Sequence, residues 1–146
     1  MTILMGQGDL TAFLASEFPQ VAHELAVESV DPSGLVLRLK VREAHLRPGG
    51  TVSGPTMFGL ADVAIYLTIL SRIGPMALAV TTNATIDFMR KPAAGRDMLA
   101  HCRLLKLGRQ LAVGDALIYS DGIDEPVARS SMTYAIPPGQ GAEPGK

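Results

Sequence analysis

From Val52 to Ser71 this chain is almost wholly apolar, and Asp62 is the only charged residue between Arg47 and Arg72. That stretch limits what the chain can fold into. The pattern predicts one long helix, with Ser53 as N-cap and Pro55 in the first turn, where a missing N–H goes unnoticed. Gly74-Pro75 supplies a glycine stop followed by a helix breaker. About nineteen residues at 1.5 Å each make a rod of roughly 28 Å, apolar on nearly every side, which must be covered nearly all round. A membrane span has about that length. Against it, an acid at the centre costs roughly 2.5–3.5 kcal/mol on insertion, and Gly54, Pro55 and Gly59 interrupt the run. The flanks also alternate like sheet, so the expectation is the central helix of a soluble domain. Within that helix a buried carboxylate costs several kcal/mol unless it is paired, hydrated or put to use. No basic residue stands one or two helical turns away. Asp62 is the candidate for chemistry.

The rest of the chain reads as sheet to cover this rod. Asp9 to Ser16 has an acid near its start and apolar residues at helical spacing, so a short amphipathic helix is expected. In Leu35–Val41 the residues Leu35, Leu37, Leu39 and Val41 share one face and Arg38 and Lys40 the other, the pattern of a half-buried strand. Asp31-Pro-Ser-Gly34 is turn chemistry, which makes the residues from about Ala22 to Val30 its hairpin partner. After the long helix come four strand-like runs, Leu78–Met89, Arg96–Leu107, Arg109–Ser120 and Glu125–Ile136. Their separators, Lys91–Gly95, Gly108 and Asp121–Asp124, have hairpin length. The economical solution is an α+β domain spanning residues 1–136, a curved antiparallel sheet wrapped around one long helix. One sheet covers one side only and has open edges, so oligomerisation is expected. The proline- and glycine-rich residues 137–146 are expected to be a disordered tail.

Composition excludes several functions. The 146 residues carry a net charge of -1 with scattered basic residues, which gives no nucleic-acid surface. The single cysteine, Cys102, forms no intrachain disulfide and fits a reducing, cytoplasmic setting. Met1–Gly6 has no basic n-region and no sustained apolar core, so no signal peptide is expected. His23, His45 and His101 have neither metal-ligand spacing nor a matching nucleophile motif, and no metal or cofactor is expected.

The segment Ser53-Gly54-Pro55-Thr-Met-Phe58-Gly-Leu60-Ala61-Asp62 resembles the helix-start motif of the PaaI-like acyl-CoA thioesterases, of the 4-hydroxybenzoyl-CoA thioesterase superfamily and the hotdog fold. The family pattern is His-Gly-Gly, two free positions, Phe, one free position, then Leu-Ala-Asp. The resemblance continues through Thr81-Thr82-Asn83, Ile86–Pro92 and Leu105–Arg109, and covers roughly Arg47 to Pro137. Ser53 stands in place of the usual His, Pro55 in place of the second Gly, and Arg47 where relatives often carry an Asn that orients water or substrate.

The resemblance implies hydrolysis of an acyl-CoA thioester, with the Gly54 amide polarising the carbonyl and Asp62 as nucleophile or general base. Thr81 would offer a hydroxyl to the site. Arg90, Lys91, Lys106 and Arg109 become candidates for coenzyme A contacts, and Arg47, Ser53, Tyr66 and Asn83 for the remaining substrate contacts. The chemistry is sound on its own terms. A thioester is already activated, so one oxyanion donor and one carboxylate or activated water suffice, and a helix N-terminus is a ready donor. The expected partners are the acyl-CoA and further copies of the chain, a dimer as the minimal active unit and a tetramer as a dimer of dimers, with no nucleic acid and no membrane. Two other functions share the fold: an acyl-CoA-binding module without turnover, suggested by Ser53 and Pro55, and a hydratase or dehydratase, which needs a His beside its acid.

Overall fold

The structure is a computed structural model and describes residues 2–138, so most of the tail expected to be disordered lies outside the described residues. A helix α1 (Gln7–Glu17) and a single turn α2 (Pro19–Ala22) lead into strands β1 (Leu25–Asp31) and β2 (Gly34–Leu39). The long helix α3 (Gly54–Ile73) follows, then β3 (Val80–Phe88), β4 (Met98–Leu107), β5 (Leu111–Ser120) and β6 (Ala128–Ala135). The six strands form one antiparallel sheet in the order β1-β2-β4-β5-β6-β3.

Both ends of α3 form as their residues dictate. Ser53 is extended and its Oγ accepts the Thr56 N–H at 3.4 Å, satisfying one of the orphan amides of the first turn. At the other end Gly74 takes φ 91°, a conformation glycine adopts without penalty, and its N–H closes the last turn on the Leu70 carbonyl at 2.9 Å. Arg72 then ties this end to the β1–β2 turn, donating to the carbonyls of Asp31 and Pro32 at 3.1 and 2.6 Å.

Burial follows the expected periodicities. Leu35, Leu37 and Leu39 of β2, Met98, Ala100 and Cys102 of β4, and Ala112, Ala116 and Ile118 of β5 all point at α3 and are buried. From Leu60 to Arg72 every residue of α3 except Asp62 is buried, with Leu10, Phe13 and Leu14 of α1 adding to the same core. Among the described residues α3 is the one helix long and apolar enough to cross a membrane, and it is the core helix of this sheet. Its N-terminal half is covered less completely. Pro55, Phe58 and Gly59, spaced to share one face, form an exposed stripe, and Asp62 at its end is half-buried.

The topology corrects one expectation. β4–β5 and β5–β6 are hairpins as their turns suggest, but β3 does not pair with β4. It pairs with β6 at the far edge of the sheet, while β4 pairs with β2. The Lys91–Gly95 segment is therefore part of a crossover from the sheet edge to its middle rather than a hairpin loop. β2 needs a neighbour on its second side, and β3, largely exposed along its length, is suited to an edge.

The helix lies close on the sheet at Gly114 of β5. A Cβ there would lie 2.9 Å from Ile65 Cγ2 and 3.2 Å from the Arg103 carbonyl oxygen, so the absent side chain sets the distance at which α3 lies on the sheet. Gly114→Ala is expected to force α3 away and destabilise the fold by about 1–3 kcal/mol, the usual cost of overpacking. A lowered thermal midpoint in calorimetry would check it.

Candidate active site

Asp62 sits at the rim of the buried part of α3, and two hydroxyls reach it from the sheet. Thr81, near the start of β3, donates to Asp62 Oδ1 at 2.6 Å. Tyr134, near the end of β6, places its hydroxyl 2.5 Å from the same Oδ1 and 3.0 Å from the Asp62 main-chain oxygen. β3 and β6 are neighbours, and their register sets Thr81 beside Tyr134. Among the described residues, no group donates to Oδ2.

These residues border a cleft of about 560 Å³, completed by Val63 and Tyr66 of α3, Ala77, Ala79 and Val80 before and in β3, and Glu17, Phe18 and Gln20 at the α1–α2 junction. Its walls combine apolar and aromatic side chains with polar groups, and polar atoms make up the larger part of the exposed lining. Tyr66 stacks on Tyr134 with ring centres 6.0 Å apart, Phe18 meets Tyr66 edge-on at 6.4 Å, and the Tyr66 hydroxyl donates to the Ala77 carbonyl at 3.0 Å. Among the described residues no cationic side chain lines the cleft, whose two acids are Asp62 and Glu17. Burial, followed by the charge of Asp62, pushes the Tyr134 phenol well above its ordinary range. Burial and then the charge of Glu17 raise Tyr66 in the same way.

A second cleft of about 540 Å³ opens at the N-terminus of α3. It is lined by Gly54 and Met57, by Arg47, Pro48, Thr51 and Val52 before the helix, and by Phe88–Pro92 at the end of β3. The Gly54 N–H donates to no acceptor among the described residues. The Phe88 ring rests over Gly54, whose Cβ, if present, would lie 3.2 Å from Phe88 Cζ. Arg47, Arg90 and Lys91 make this cleft basic. The two clefts share no residue, and along the helix axis Gly54 and Asp62 are roughly 12 Å apart.

The sequence profile of the thioesterase superfamily matches residues 49–127, which contain both Gly54 and Asp62. The chain belongs to the thioesterase superfamily. A Pseudomonas aeruginosa protein with an inferred esterase activity is 33% identical over 104 residues, 70% of this chain and 75% of that one. The crystal structure of an inferred thioesterase from Silicibacter sp. TM1040 shares 55% identity, with a TM-score of 0.89 over 94% of this chain and 96% of that one. The PaaI protein of the Escherichia coli phenylacetic acid degradation operon shares 26% identity, with a TM-score of 0.75 over 88% of this chain and 90% of that one. The fold is the hotdog fold, and the chain is a hydrolase of the thioesterase class.

The candidate residues fall into separate groups. Asp62, Thr81 and Tyr66 share one cleft; Gly54, Arg47, Arg90 and Lys91 share the other. Arg90 is partly engaged, donating to the Pro126 carbonyl at 2.6 Å. Ser53 lines neither cleft, because its Oγ caps the helix and bonds Thr56 Oγ1 at 2.9 Å. Asn83 lies past a bulge in β3, exposed and away from both clefts. Lys106 and Arg109 flank Gly108 at the β4–β5 turn, in a third depression of their own. Sequence reasoning missed Tyr134. The signal was available in the alternation of Ala128, Ser130, Met132 and Tyr134, all buried on the helix side of β6.

Two buried acids make the fold sensitive to alkali. Cys102 is pushed up to about 12 by burial, and Tyr134 higher still, so both stay neutral in the fold at pH values where the unfolded chain ionises. Groups with raised pKa contribute stability that is complete below the unfolded values, about 8.5 for a thiol and about 10 for a phenol, and is lost as pH rises towards the folded ones. The thermal midpoint is expected to fall as pH is raised above about 9, and to fall less in Tyr134→Phe. Scanning calorimetry from pH 8 to 11 reads this directly.

Proposed function

We propose that this thioesterase hydrolyses acyl-CoA: R-CO-S-CoA plus water gives R-COOH plus CoA-SH, with the Gly54 amide polarising the thioester carbonyl and Asp62 acting as nucleophile or general base. The observation that carries this reading is the placement of Asp62, an acid without a cationic partner among the described residues, in a cleft on the motif helix of a thioesterase. As a base, Asp62 takes a proton from water while the oxygen adds to the carbonyl carbon. The tetrahedral oxyanion then collapses, the C–S bond breaks, and the thiolate recovers the proton. As a nucleophile, Asp62 forms an acyl anhydride and expels the thiolate, and water then cleaves the anhydride. Either route needs the oxyanion donor about 3 Å from the carbonyl oxygen. The acyl group should be apolar, given Phe18, Val63, Tyr66, Ala79 and Val80 around Asp62. A hydratase is disfavoured because no histidine lines either cleft.

A single protomer holds the donor and the carboxylate too far apart for one thioester. We therefore propose that the site is shared by two protomers. Two α3 helices packed antiparallel about a twofold axis set each Asp62 opposite the other's Gly54 and cover the bare stripe of Pro55, Phe58 and Gly59. The same twofold pairs the free edges of β3, whose exposed apolar ends, Val80 (55% exposed) and Phe88 (52%), belong one to each cleft. The coenzyme A phosphates then fall to Arg47, Arg90 and Lys91 of the second cleft.

Mixing protomers tests this. Asp62→Asn is nearly isosteric and is expected to fold normally and lower kcat by at least about 10²-fold. Gly54→Pro removes the amide proton at a helix position that tolerates proline and should be similarly inactive. Mixed dimers of the two variants should regain up to about half the wild-type activity. Wild-type turnover in a folded Asp62→Asn variant overturns the chemistry. A mixture that stays dead although subunit exchange is demonstrated overturns the sharing. For the nucleotide end, Lys91→Ala should raise KM for acyl-CoA and leave that for a truncated acyl-pantetheine unchanged, with the difference shrinking as salt rises. Steady-state kinetics with both substrates checks it.

A further inference from the structure

Asp62 receives its hydrogen bonds on one side only. Thr81 and Tyr134 both address Oδ1, at 2.6 and 2.5 Å, and the Tyr134 hydroxyl also stands 3.0 Å from the Asp62 carbonyl. Tyr134 is 3% exposed and its ring is held against Tyr66, so the hydroxyl has little freedom to turn elsewhere. Resting on the thioesterase reading above, we infer that Tyr134 is a positioning residue, which with Thr81 immobilises Oδ1 and so assigns Oδ2 as the oxygen that attacks the thioester or takes the proton from water.

The physical case has three parts. An oxygen that accepts two hydroxyl protons has its lone pairs engaged and is the poorer base and nucleophile of the pair, which leaves Oδ2 as the reactive one. A carboxylate held through one oxygen, and tied at the same hydroxyl to its own helix, cannot rotate about its side-chain torsions without breaking both bonds; this preorganisation matters because misplacement by an ångström can cost about 10²-fold in rate. Among the described residues of its own protomer, no cation competes for Asp62. The titratable groups bordering the cleft are Tyr134 from β6, Tyr66 from α3 itself and Glu17 from the end of α1, with no Lys, Arg or His among them. The orienting work falls to the two hydroxyls. The elevated phenol of Tyr134 agrees with a role as donor, since it keeps its proton throughout the working pH range.

The test compares Tyr134→Phe, Thr81→Val and Asp62→Asn in steady-state kinetics, with thermal midpoints measured alongside. Tyr134→Phe keeps the ring on Tyr66 and removes only the hydroxyl. It is expected to lower kcat by about 10-fold with KM within about twofold of wild type, because the loss is of orientation rather than substrate binding. Thr81→Val, on an exposed edge strand, removes the second donor to the same oxygen and should do likewise. The double variant should lose more than either single variant, because no hydroxyl then holds Oδ1. Wild-type kcat in both single variants, or a change confined to KM, overturns the inference when Asp62→Asn is inactive. Turnover by Asp62→Asn at the wild-type rate instead overturns the functional reading on which it rests.

Discussion

Everything in this molecule answers to the need to desolvate α3. A helix apolar on nearly all sides cannot be covered by one sheet, and the chain adds α1 with Leu10, Phe13 and Leu14 across a second face. What remains bare is the stripe on the N-terminal half that ends at Asp62, with Phe58 37% exposed beside it. The same stripe explains how a carboxylate is tolerated on such a helix. Asp62 stands where burial stops, close enough to the core to be bonded by Tyr134 and Thr81 and far enough out to face a cleft. The fold and the site therefore have one cause.

How much of this was legible in the sequence follows from which interactions are local. Helix ends are local, and Ser53, Pro55 and Gly74 mark α3 to within a residue. Strand faces are nearly so, since alternation in Leu35–Leu39 and Ala128–Ala135 assigns the buried side correctly. Strand order is not local. Nothing between Phe88 and Met98 says whether the chain turns back or crosses the sheet, because the choice is made by β2 and β6, remote in sequence, each needing a partner.

The site divides along the same line. Asp62 and Gly54 are visible because they share one helix and one motif. Thr81 was reachable through the family resemblance, and its bond to Asp62 is a consequence of β3 returning along α3. Tyr134 comes from the last strand, seventy-two residues from Asp62, and only the β3–β6 register brings it near. Lys106 and Arg109, basic residues at a strand end, lie within one protomer in a separate depression at the β4–β5 turn, a placement that follows from strand order rather than from local sequence.

The electrical asymmetry of the two clefts has a consequence for product release. Among the described residues of one protomer, the cleft at Asp62 and Glu17 has two acids and no cation, while the one at Gly54 gathers Arg47, Arg90 and Lys91. For the hydrolysis proposed above, a neutral acyl group enters the first without electrostatic penalty. The free acid formed there ionises and becomes an anion confined between two others. Repulsion from these fixed charges favours its departure. Within one protomer the same fixed charges would admit a neutral acyl group and disfavour the anion it becomes.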